Sequence, residues 1–217
     1  MRDDALDAAR GAAFVLMCVN HYGIATTPTT VTRAAGHVAR VAFLLLVGAT
    51  FAMYPRSTRA RARRVALIAA HAALVSAASW YLVPRAWIRI GVLHCTALCT
   101  LALTAMDHAR LLGPTRTVLA AGLCLAAYHA APVTHTALDL VTGASARAPM
   151  LDWFPPLHWM PVVLGGHSLG AAVRPALKLK LKLKHKPSFL SWVGRRSLEL
   201  YTAQMLVLLV ARARFAW

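Results

Sequence analysis

Seven apolar runs, each close to the length of a membrane crossing, constrain this chain more than any other feature of its sequence. They fall near residues 8–25, 36–54, 64–83, 88–106, 115–131, 155–174 and 190–211. A helix rises about 1.5 Å per residue, so about 20 apolar residues span the hydrocarbon core of a bilayer. Prolines stand between the runs, at Pro28, Pro55, Pro84, Pro114, Pro132, Pro155 and Pro187, where they suit helix ends. The expected fold is all-α: a polytopic membrane helix bundle of about seven transmembrane helices. No internal repeat and no break in composition divides it, so residues 1–217 read as one domain. The chain is 59% hydrophobic and only 14% charged. An average soluble domain carries about 25% charged residues.

The placement of the basic residues sets the orientation. A net charge of +17 would suit a nucleic-acid binder. Here Lys and Arg gather in the connectors, which is the pattern of positive inner loops, and no nucleic-acid partner is expected. With the N-terminus inside, the inner face holds Arg2, Arg10, the cluster Arg56, Arg59, Arg61, Arg63 and Arg64, then Arg110, Arg116, Arg174, the lysines of ALKLKLKLKHK, Arg195 and Arg196. Arg33, Arg40, Arg85, Arg89, Arg147, Arg212 and Arg214 remain outside. The lysine run 178–186 is expected to lie on anionic head groups, each Lys contributing about 1 kcal/mol. The start, MRDDALDAARG, lacks the basic region and cleavage site of a signal peptide.

Polar residues within the apolar runs carry the functional information. A charge at mid-bilayer costs about 2.5–3.5 kcal/mol on insertion scales, so such a residue normally faces the bundle interior. Arg10 and His21 are eleven residues apart, close to three helical turns, which puts both on one face about 16 Å apart. Arg10 at the inner interface suits an anion such as phosphate; His21, deeper in, suits a general base. The same residues also fit a plain reading, with Arg10 snorkelling to the interface and His21 bonding a neighbouring helix. Further candidates are Asp152 and His158 in LDWFPPLHW, His167 beyond Gly165 and Gly166, His94 in IRIGVLHCTAL, and Glu199, Tyr201 and Gln204 in the last run. The cysteines Cys18, Cys95, Cys99 and Cys124 read as small buried hydrophobes, and no metal is expected.

Four of these segments carry a resemblance. LDAARGAAFVLMCVNHY resembles the opening helix of the membrane acyltransferase-3 superfamily, whose signature is an Arg, ten residues, then a His. IRIGVLHCTAL, LDWFPPLHWMPVVLGGHSLG and GRRSLELYTAQ are similar, in that order, to segments of the bacterial membrane family related to heparan-alpha-glucosaminide N-acetyltransferase. The resemblance implies transfer of an acyl group, with acetyl favoured, from cytoplasmic acetyl-CoA or another acyl-CoA to an amine or hydroxyl acceptor, for instance on a sugar, in a bacterial inner membrane. It implies His21 as base or acyl carrier, Asp152 as an orienting carboxylate, and Arg10 with Arg195 and Arg196 as CoA-phosphate ligands. His94, His158, Glu199, Tyr201 and Gln204 are the expected substrate contacts. A homo-oligomer is compatible with this reading. Two positions depart from the pattern: relatives carry His where Gln204 stands, and Pro where His158 stands. Gln cannot exchange a proton near pH 7, which bears on any two-histidine relay.

Two other functions fit the same composition. A transporter or exporter of an envelope or sugar metabolite could use the intramembrane His, Asp and Glu as a proton path, although no repeat supports it. A non-catalytic membrane subunit would explain Gln204.

Overall fold

The computed structural model describes residues 4–26, 28–133, 138–142, 152–180 and 188–215. Among them are nine helices and no strand: α1 Asp4–Ala25, α2 Thr30–Met53, α3 Thr58–Leu82, α4 Val92–His108, α5 Pro114–Ala130, α6 Leu138–Thr142, α7 Pro156–Lys180, α8 Phe189–Arg195 and α9 Ser197–Phe215. The all-α expectation therefore holds. Residues 181–187 of the lysine run and Arg147 lie outside the described residues.

Helix starts follow local chemistry. Thr29 caps α2 and forms a reciprocal capping box with Thr32, which carries the helix six residues further back than the apolar run at 36. Ser57 caps α3 by accepting from the Ala60 N–H at 3.3 Å. Arg59, Arg61, Arg63 and Arg64, expected in a connector, thus sit on the first turns of a helix. Pro114 and Pro156 stand at the first positions of α5 and α7, where a missing N–H is harmless.

The run at 190–211 is not one helix. α8 ends at Arg195, Arg196 leaves the helical region, and α9 resumes at Ser197. No proline marks this break. Its setting is a close crossing of α8 over α1: a Cβ on Gly194 would lie 1.7 Å from the Asp7 carbonyl oxygen, and one on Gly11 2.0 Å from that of Leu190.

α2 packs on α1 and α7, α3 on α4 and α9, and α5 mainly on α7. The α2–α7 seam is built on backbone contact. Cβ atoms on Gly48, Gly166 and Gly170 would overlap the carbonyl oxygens of Val163, Leu45 and Ala49. Without a hydrophobic force between helices in lipid, such close approach is what holds them together. Several polar groups inside are paired: Thr117 and Ser168 join α5 to α7 at 3.0 Å, and Ser79 accepts the Ile88 N–H at 2.9 Å. The fully buried core includes Leu44, Ile88, Leu103, Leu164 and Leu209. Large apolar side chains also face outward, among them Val118, Leu123 and Val207. Among the described residues, two helices, α2 and α3, are long and apolar enough by length and composition to cross a membrane.

Candidate active site

A cavity of about 330 Å³ opens between α1, α2, α3, α4 and the α8–α9 junction. Ligand pockets typically measure about 300–1,000 Å³. Its mouth is cationic, with Arg10, Arg56, Arg61, Arg64 and Arg195 in the lining. Its middle is apolar, with Phe14, Met17, Phe43 and Leu93, and its inner end reaches Thr96 and Tyr201.

Arg10 is held rather than loose. It donates to the Asp7 carboxylate at 2.6 Å, one turn back on α1, and to the Thr50 hydroxyl of α2. Thr50 in turn donates to the Leu46 carbonyl at 2.6 Å. The planar guanidinium can serve both neighbours and still present donors to the cavity. Arg195 bonds Asp4 at 3.2 Å, and Arg61 bonds Asp107 while stacking over Phe51. Each of these three mouth arginines is thereby fixed in direction.

At the inner end, α9 and the segment before α7 meet. The Tyr201 hydroxyl donates to Asp152 Oδ2 at 3.1 Å, and the Val92 N–H, at the start of α4, donates to the same oxygen at 3.1 Å. Gly91 admits this carboxylate, since a Cβ there would lie 2.6 Å from it. On the other side of Tyr201 stands His21, with ring centroids 6.3 Å apart. His21 Nδ1 lies 3.2 Å from the Gln204 amide nitrogen, one turn along α9 from Tyr201. Gln204 Oε1 is buried without a partner in this orientation. Turning the amide lets Oε1 accept from a protonated Nδ1, which leaves His21 Nε2 free to take a proton.

Arg10, Arg195, Glu199 and Tyr201 line the cavity. His21, Gln204 and Asp152 gather behind Tyr201, and His21 is not itself in the lining, where Met17, one turn earlier on α1, stands instead. Other expected residues do not line this cavity, although His94 stands beside Asp152 and Tyr201. Arg196 is exposed and stacks over Trp192, away from the cavity. His94 accepts the Gly91 N–H at 3.3 Å and meets the Ser76 hydroxyl at 3.3 Å, so both its nitrogens hold the segment before α4 in place. His158 packs against Tyr128 and Trp159 where α5 meets α7. His167 faces Phe51. Asp7 and Thr50 were not anticipated. For Asp7 the signal existed, as an acid three residues before Arg10 on one helix. Arg61 and Arg64, also three apart, share the face of α3 that turns to the cavity.

Among the described residues no group of three or more His, Cys, Asp or Glu could hold a metal ion. No curated protein and no solved structure matches the chain. The family model described as heparan-alpha-glucosaminide N-acetyltransferase, catalytic, matches residues 2–206. With the outward apolar faces and the held arginine of α1, this match makes the chain a member of that membrane acetyltransferase family.

Proposed function

We propose that the protein transfers an acetyl group from acetyl-CoA, entering at the cytoplasmic arginine mouth, to an amine or hydroxyl acceptor that meets it at Tyr201. One observation carries this reading: a single cavity joins five arginines to Tyr201, whose hydroxyl is anchored by Asp152 behind it. A CoA head is rich in phosphate, and guanidinium forks suit phosphate oxygens. The apolar middle suits the slender arm that bears the acyl group. Bound acetyl-CoA supplies the activated thioester.

The chain's own residues do the rest. Arg10 and Arg195 hold the anionic head. Tyr201, anchored by Asp152, closes the inner end and keeps its oxygen at the reacting region. The acceptor reaches past Tyr201 to His21, which stands just behind the cavity lining, and loses its proton to Nε2 as its nitrogen or oxygen bonds to the acyl carbon. The C–S bond breaks, and the thiolate leaves with a proton returned from the same pocket. Asp152 stabilises the imidazolium by its charge. The topology that fits is about seven crossings, α8 and α9 sharing the last, with the Arg10 end in the cytoplasm of a bacterial inner membrane.

The test is transfer of labelled acetyl from acetyl-CoA by the purified protein in proteoliposomes. Wild type is expected to label an amine or hydroxyl acceptor, and His21→Ala to lose about 10²–10⁴-fold. Equal transfer by both proteins removes His21 from the chemistry. Transport of the acceptor with no use of acetyl-CoA overturns the enzyme reading.

A further inference from the structure

α2 carries a second basic feature on the far side of the reacting region. Residues 33, 40 and 47 stand seven apart, two turns each, so they follow one face of the helix. Val47 of this set lines the cavity, as does Phe43, one turn from Arg40. The other two members are Arg33 and Arg40. Arg33 is exposed near the start of α2; Arg40, about 10 Å further along the helix, is half-buried. The Arg40 guanidinium lies 5.9 Å from the Phe154 ring centroid, and Phe154 follows Asp152 by two residues.

Among the described residues, neither arginine has a carboxylate within ion-pair distance. The ion pairs among the described residues are Asp7–Arg10, Arg61–Asp107 and Asp4–Arg195. Asp152 directs its Oδ2 to Tyr201 and Val92 instead. A guanidinium this deep in a spanning helix is expensive unless an anion meets it. The arginines at the other mouth cannot serve the same ligand, because Phe43, Val47 and the reacting region lie between.

We propose that Arg40, with Arg33 as its outer guide, is the specificity residue for an acceptor that carries a carboxylate, phosphate or sulfate beside its amine or hydroxyl. The inference rests on the acyl-transfer reading for the word acceptor, but anion recognition at Arg40 stands by itself. The exposed Arg33 draws the anion to the outer end of α2. Arg40 then fixes it, so that the nucleophile faces Tyr201 and His21.

The experiment measures binding rather than turnover, which keeps the two readings separate. The full chain in maltoside micelles is titrated with glucosamine 6-phosphate and with glucosamine. Wild type is expected to bind the phosphorylated sugar about 10- to 100-fold more tightly, the range of a charge-assisted hydrogen bond or two. Arg40→Gln should erase the difference while binding acetyl-CoA as wild type does. Arg40→Lys should keep part of it, and Arg33→Gln, at an exposed site where folding is not at stake, should reduce it. Equal affinity for the two sugars, including no binding of either, overturns the proposal, as does a preference that survives Arg40→Gln. A preference lost when the protein moves into phosphatidylglycerol nanodiscs assigns the stripe to lipid phosphate and also overturns it. A preference without acetyl transfer would leave Arg40 in place and defeat the enzyme reading alone.

Discussion

Tyr201 of α9 donates its hydroxyl hydrogen to Asp152, 49 positions earlier in the chain, at 3.1 Å, and so ties the last helix to the segment that leads into α7. The bond sits at the inner end of the cavity, and Tyr201 is buried. A buried hydrogen bond to a carboxylate contributes more than a neutral one, about 1.5–3 kcal/mol. Tyr201→Phe keeps the ring and removes only this donor. It is expected to lower kcat by about 10- to 100-fold with acetyl-CoA affinity close to wild type, beside a loss of stability of about 1.5–3 kcal/mol. Steady-state kinetics beside a melting curve checks this. A fall in melting temperature with kcat unchanged would make the pair structural alone.

Arg10 serves Asp7 and Thr50 at once through the two terminal nitrogens of its planar fork. Arg10→Lys retains the charge and loses the fork. Acetyl-CoA affinity is expected to fall about tenfold or more in calorimetric titration. Arg196→Gln is the control, because that side chain stacks on Trp192 outside the cavity. It should leave the affinity unchanged. Equal losses in both variants would show that the inner face binds CoA by bulk charge.

Gln204 holds the His21 ring from one side. Gln204→Leu removes that contact without adding bulk at the cavity. The expected result is a fall in kcat of about 3- to 10-fold, with the KM for acetyl-CoA unchanged. A rise in KM alone would place Gln204 in binding instead.

The α2–α7 seam offers a test of the fold independent of any activity. Gly165 and Gly166 are neighbours on α7 with opposite surroundings. A Cβ on Gly166 would lie 2.1 Å from the Leu45 carbonyl oxygen, whereas one on Gly165 meets nothing within 4 Å. Gly166→Ala is expected to destabilise by about 1–3 kcal/mol or more, because backbone must move. Gly165→Ala should be neutral or stabilising by up to about 1 kcal/mol. Detergent unfolding monitored by size-exclusion chromatography distinguishes them; matching behaviour would mean the seam is looser than the geometry.

His94 shows what a linear pattern leaves out. The resemblance implied it as a substrate contact. Its nitrogens engage the Gly91 N–H and the Ser76 hydroxyl, fastening the approach to α4 beside Asp152 and Tyr201. A linear pattern reports that a histidine is inside the bundle. It does not report which backbone N–H lacks a partner there. The basic mouth was misplaced in a similar way. Arg61 and Arg64 read as connector charges until the Ser57 cap put them on α3.

What the amino-acid order alone determined is local and periodic. The lengths of the apolar runs, the prolines between them and the caps at Thr29 and Ser57 dictate where helices begin, and eleven-residue spacing puts Arg10 and His21 on one face of α1. Backbone hydrogen bonding has a range of four residues, so such features need no distant partner. The break at Arg196, the union of Asp152, Tyr201, Gln204 and His21, and the departure of Arg196 from the cavity were decided by tertiary structure. They depend on how each helix is rotated and how closely it crosses its neighbour, and at Gly11, Gly48, Gly166 and Gly194 that is set by contact between backbones far apart in sequence.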